Sequence, residues 1–110
     1  MEKVKWTMVR GDTLSFGVVV ENATGELVDN MAFSCKTDTG AVDYVFKKTI
    51  GNGITETETG KFRVRVAPED TENLEAGTYA IDLQIGVGSD KATPILGTLK
   101  VIEDVTREDE

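Results

Sequence analysis

The sequence predicts an all-β domain, a two-layer antiparallel sandwich of seven to eight strands. Three observations carry this. Apolar residues recur with a period of two almost everywhere, turn-forming clusters separate these runs at intervals of about 8 to 14 residues, and no stretch has helical periodicity.

Taken in order, Val4 to Val9 supplies the first strand, and Leu14, Phe16, Val18 and Val20 alternate along the second. Met31, Phe33 and Cys35 follow, then Val42, Tyr44 and Phe46, then Phe62, Val64 and Val66. The longest alternation is Tyr79, Ile81, Leu83, Ile85 and Val87, and the last strand sets Ile95, Leu99 and Val101 on one face with Gly97 between them. Between these runs lie Asn22 to Gly25, Asp38 to Gly40, Gly51 to Gly53, Glu58 to Gly60 and Gly86 to Asp90, all rich in turn formers. Asn52-Gly53 predicts a two-residue hairpin turn, because such a turn needs positive φ at both central positions and Asn-Gly tolerates that best. The one departure from β structure is expected near residues 68–74. There Pro68 can open a single helical turn, Glu69 and Asp70 suit its positive end, and Gly77 can stop it.

At 110 residues the chain has the size of one domain, expected over residues 1–106, with 107–110 an acidic tail that frays. Hydrophobic residues make up 39% and 11 glycines bring the apolar share to about half, which a packed core requires. Twelve basic against 20 acidic side chains give a net charge of −8, which repels phosphate backbones and anionic lipid, so neither nucleic acid nor membrane is expected as a partner. The N-terminal residues carry Glu2, Lys3, Lys5 and Arg10 with no apolar run for a signal peptide or membrane span. A single cysteine, Cys35, rules out an internal disulfide and fits folding in a reducing compartment.

The chain has no histidine, which removes Ser-His-Asp triads, Cys-His pairs and nearly all zinc or copper sites at once. Cys35 continues the alternation of Met31 and Phe33 and reads as inert packing rather than as a nucleophile. Glu56, Glu58, Asp70 and Asp82 are acids of the type that cleave glycosides, but nothing in the sequence pairs them. Asp38 and Asp43 flank a glycine loop, and Glu103 and Asp104 adjoin the tail, but neither pair has a calcium-loop signature. Gly51-Asn52-Gly53 joins strands and opens no helix, so it is no phosphate cradle. No catalysis, cofactor or metal is expected.

Arg10-Gly11-Asp12 is the tripeptide that integrins hold when it sits at the tip of a mobile loop. Here apolar alternation resumes at Leu14, two residues after Asp12, so the segment reads as a structural turn entering a strand. Gly11 can take a dihedral its neighbours cannot, Asp12 can accept from the Leu14 N–H, and Arg10 is expected to stay solvated. Leu74, Gly77 and Tyr79 form a Leu-x-x-Gly-x-Tyr pattern in which the tyrosine plugs a corner of a sandwich core. Of seven aromatics five fall in core-like alternation, leaving Trp6 and one other free to stack on a ligand.

Arg10-Gly11-Asp12-Thr13, the run from Gly60 to Val66 leading through Pro68, Asp70 and Thr71 to Leu74-Glu75-Ala76-Gly77-Thr78-Tyr79, and Thr93 to Leu99 leading to Asp104-Val105-Thr106-Arg107 resemble one family. It is the small immunoglobulin-like β-sandwich domains among tail and baseplate genes of phages and prophages, similar to the N-terminal domain of baseplate upper proteins. The resemblance spans roughly Arg10 to Arg107; the segment between Val28 and Phe33 is shorter than the family's, and a long C-terminal assembly region is lacking. It implies an immunoglobulin-like fold and a non-catalytic structural or adaptor role in a virion, folded in the bacterial cytoplasm. Its implied partners are other tail or baseplate proteins, with a homo-oligomer possible. The alternative is a recognition module binding a glycan or surface protein through its loops.

Overall fold

Period-two runs bury one face of each strand, and the apolar faces then close on one another. The computed structural model describes residues 2–20 and 28–105. Its strands are β1 (Glu2–Val9), β2 (Leu14–Val19), β3 (Asn30–Lys36), β4 (Phe46–Ile50), β5 (Gly53–Glu58), β6 (Lys61–Val66), β7 (Gly77–Val87) and β8 (Asp90–Ile102). One helical turn, α1 (Pro68–Thr71), lies between β6 and β7. The Asn22 to Gly25 cluster and the tail 107–110 lie outside the described residues.

The strands follow the order β1-β8-β7-β3-β4-β5-β6-β2. Between β4 and β5 the ladder is reduced to Thr49 beside Gly53 and Ile50 beside Ile54, and there the sheet turns over into two layers. One layer is β1-β8-β7-β3-β4 and the other β5-β6-β2, the arrangement of an immunoglobulin-like β-sandwich. Phe33, Leu83 and Leu99 from the first layer and Ile54, Val64 and Val66 from the second are all 0% exposed. Fully burying such a side chain contributes about 1.5–3 kcal/mol. Trp6 and Phe16 meet edge-on at 5.1 Å, and Phe16 meets Phe33 at the same distance.

Four expectations need correction. Pairing is antiparallel except that β1 runs parallel to β8 and the short β4–β5 contact is also parallel. The Asn52-Gly53 hairpin turn does not form. Positive φ falls on Gly51 (88°) and Gly53 (94°) instead, since a glycine on each side of Asn52 reaches that region without a Cβ penalty. Thr49 and Asn52 exchange backbone hydrogen bonds at 3.0 and 2.8 Å, so the tight turn is centred on Ile50-Gly51 instead. Val42 and Tyr44 alternate in sequence but precede β4 and are 88% and 48% exposed. Finally, α1 ends at Thr71, and Gly77 starts β7 instead of stopping the helix.

Candidate functional site: a bonded bracket and an outer cleft

Segments far apart in sequence converge at one end of the sandwich. The turn after β1 places Arg10 beside the chain leaving β8, because β1 and β8 run parallel and in register from Glu2 beside Ile95 to Val9 beside Ile102. The Arg10 N–H donates to the Ile102 carbonyl at 2.8 Å, continuing the ladder by one residue. Its guanidinium donates from Nε (3.1 Å) and Nη2 (3.0 Å) to Asp104 Oδ1, and from Nη1 to the Leu74 carbonyl at 3.2 Å. Side-chain exposures of 17% and 20% make Arg10–Asp104 a largely shielded ion pair. Arg10 is therefore not solvated, contrary to the expectation from sequence; a partner 94 residues away leaves no local signal.

Gly11 takes φ +83°, and its N–H donates to Thr71 Oγ1 at 2.9 Å. Thr71 is fully buried at the end of α1, and this bond satisfies a hydroxyl that would otherwise be costly there. The turn itself is closed by the Asp12 N–H donating to the Val9 carbonyl at 3.0 Å. The Asp12 side chain is exposed, and among the described residues its carboxylate makes no hydrogen bond, so the expected contact with the Leu14 N–H is absent. The turn is held by its backbone bond, by Arg10 and by Thr71, with no part played by the Asp12 carboxylate.

The second half of the bracket is the helical turn and the corner after it. Asp70 Oδ2 accepts from the Ala67 N–H at 2.8 Å and pairs with Lys48 Nζ at 2.7 Å, tying α1 to β4. The Leu74 N–H donates to the Thr71 carbonyl, which leaves the Leu74 carbonyl facing Arg10. Tyr79, buried on β7, donates its hydroxyl to the Glu75 carbonyl at 2.6 Å, the geometry of a tyrosine corner. Leu74 packs half-buried against the core, and Gly77 is exposed at the start of β7. Thr71 and Asp104 join this cluster without having been singled out as its bonding partners.

The remaining acids are dispersed. Glu58 pairs with Lys61, Glu56 Oε2 accepts weakly from the Gly60 N–H at 3.4 Å, and Asp82 on β7 lies beside Gln84. Asp38 Oδ1 caps the Gly40 N–H at 2.8 Å. Among the described residues no group of three or more cysteine, aspartate or glutamate side chains could hold a metal ion. Cys35 is 0% exposed, and burial pushes its thiol up to about 12, where no thiolate exists near neutrality.

A shallow cleft of about 280 Å³ opens on the outward face of β8-β7-β3-β4, lined among others by Ser34, Lys36, Tyr44, Lys47, Asp82 and Gln84. Tyr44 is its exposed aromatic, and the ammonium groups of Lys36 and Lys47 lie 4.7 and 4.9 Å from the ring centre. Trp6, expected to be free, is instead half-buried against Phe16 and Phe33. No helix among the described residues is long and apolar enough to cross a membrane.

No family model matches the chain, and no curated protein matches it in sequence. Among solved structures, the endo-beta-1,4-mannanase from Thermotoga petrophila aligns over 94% of this chain with a TM-score of 0.61 at 9% identity, and the chain spans only 18% of that enzyme's length. The NK cell receptor Nkp44 aligns over 94% of this chain and 100% of its own, with 15% identity and a TM-score of 0.49. The extracellular domains of the voltage-gated sodium channel beta4 subunit give the same identity and score over 93% of that chain. At such identities the likeness is one of fold alone; the strand order, with the Tyr79 corner, is that of an immunoglobulin-like β-sandwich.

Proposed function

We propose that the chain is a non-catalytic structural or adaptor component of a phage or prophage tail or baseplate. The observation that carries this reading is the convergence of the segments behind the family resemblance. The RGDT turn, Pro68 to Thr71, the Leu74 to Tyr79 corner and Asp104 make up one bonded bracket. The segments in which the resemblance lies are thus bonded into one unit, which supports the reading. Catalysis gains no support from the dispersed acids or the neutral Cys35 thiol. Adhesion through Arg10-Gly11-Asp12 gains none either, since the guanidinium a receptor would engage is held by Asp104 and Leu74.

Mass spectrometry of particles induced from the host strain and purified tests the role. Peptides of this chain at a fixed ratio to a known tail protein are expected. Their absence from intact tails, with the protein abundant in the lysate, would refute it.

The outer cleft favours a second reading, recognition of a glycan or surface protein. Its weakness is that two ammonium groups already occupy the Tyr44 ring on which a sugar would stack. Glycan-array binding lost in Tyr44→Ala would favour it.

A further inference from the structure

The two ends of the sheet order, β1 and β2, lie across from each other at one flank of the sandwich, where Trp6 meets Phe16. Both strands have one unpaired edge among the described residues. Backbone bonds identify the groups on each edge. The Arg10 N–H points to β8, so by strand alternation Lys3, Lys5 and Thr7 turn their N–H and C=O groups away from it. The Val20 N–H donates to Gly60 on the β6 side, so Ser15, Gly17 and Val19 present theirs to the free edge of β2.

These edges differ in protection. That of β1 carries two exposed lysines, a common device against unwanted strand pairing. That of β2, in the run Leu14 to Val20, has no charge and no proline, and Val19 is 66% exposed. Such an edge is open to strand addition.

The geometry points to a second copy of this chain as its partner, paired antiparallel through β2 about a two-fold axis at Gly17. In that register Gly17 faces Gly17 of the other copy and Ser15 faces Val19. Every edge N–H and C=O of the three residues finds a partner. The inward row also matches, Phe16 opposite Val18 and Leu14 opposite Val20, so these half-buried apolar side chains would extend one stripe across both copies. A register moved by one residue at the axis leaves one of the three edge residues of each copy outside the matched set. Gly17 places no side chain on the axis, and no charge on either strand opposes contact. The pairing is weak, because few residues meet and two bodies of charge −8 repel. Raising salt therefore strengthens it, opposite to an association driven by ion pairs.

This inference rests on the proposed role as an assembly part, but its test is separate from particle composition. Sedimentation of the full chain from micromolar to millimolar concentration, at low and high salt, is combined with amide hydrogen exchange. Expected are a monomer when dilute, a dimer when concentrated and more so in salt, and exchange at Ser15, Gly17 and Val19 that is fast in the monomer and slowed in the dimer. Val19→Lys, on an exposed position, should leave the melting temperature unchanged and weaken dimerisation about tenfold or more. A monomer at millimolar concentration, protection of these amides in the dilute monomer, or a dimer indifferent to Val19→Lys would each overturn the proposal. Should it fail while the chain remains stoichiometric in tails, the assembly role stands and the contact lies elsewhere.

Discussion

Replacing Arg10 with alanine should destabilise the domain far more than replacing Asp12, although a reading of the tripeptide as a local turn gives the reverse order. Arg10→Ala deletes two charge-assisted hydrogen bonds to Asp104 and one to the Leu74 carbonyl. Exposed ion pairs contribute about 0–1 kcal/mol, but side-chain exposures of 17% and 20% put this one mostly out of solvent. Hydrogen bonds to charged groups contribute about 1.5–3 kcal/mol net. A loss of about 1.5–3 kcal/mol follows, or a fall in Tm of roughly 6–12 °C for a domain of this size. Asp12→Ala removes an exposed carboxylate without a partner and should stay within about 0.5 kcal/mol. Arg10→Lys should recover only part of the loss, since an ammonium cannot reach Asp104 and Leu74 in the same planar fork. Urea unfolding followed by circular dichroism, with a double-mutant cycle on Arg10 and Asp104, measures these quantities. Arg10→Ala within 0.5 kcal/mol of wild type, or Asp12→Ala the more damaging of the two, would refute the reasoning.

Four further outcomes follow from the packing. Tyr79→Phe keeps the buried ring but removes the donor to Glu75, and should cost about 0.5–1.5 kcal/mol by the same unfolding assay. Gly97→Ala should cost about 1–3 kcal/mol or more, because a Cβ at that position falls on the Val4 carbonyl oxygen of β1; amide exchange in Val4 to Met8 should rise. Cys35 should resist alkylation in the folded protein and react on unfolding, checked by mass spectrometry with and without urea. Burial raises Cys35 from 9.0 to about 12 and also raises Tyr79 above 10.0, so both fold as neutral groups. Their contribution is intact below the ordinary values and is lost as pH rises from 9.0 through about 12, which the urea midpoint should track.

The parts of the fold legible in the sequence were those set by local period. The strand around Phe33, the run Phe62 to Val66 and β7 as far as Leu83 each bury alternate residues, so nearest neighbours in sequence carry the signal; beyond the register shift after Leu83, Gly86 is buried and the expected Ile85 and Val87 are half-buried. β5 had little to read, because Ile54 is its one buried side chain and Thr55 to Glu58 are all exposed. The Asn52-Gly53 turn misled because Gly51 supplied an equally permissive residue one step earlier. Val42 and Tyr44 had the right period without burial. The bracket was half visible: Gly11 and Tyr79 have local roles, while Arg10, Thr71 and Asp104 act through partners tens of residues away. Trp6 is of the same kind, placed by the parallel pairing of β1 with β8, which no short-range pattern announces.

The central claim is that Arg10 is consumed by the fold, and the most direct measurement of it is the nitrogen-edited NMR spectrum of the arginine side chains. The Arg10 Nε–H should exchange more slowly with solvent than that of Arg65 on the exposed face of β6, and Asp104→Asn should accelerate it. An Arg10 Nε–H exchanging as fast as that of Arg65, and unmoved by Asp104→Asn, would contradict the account.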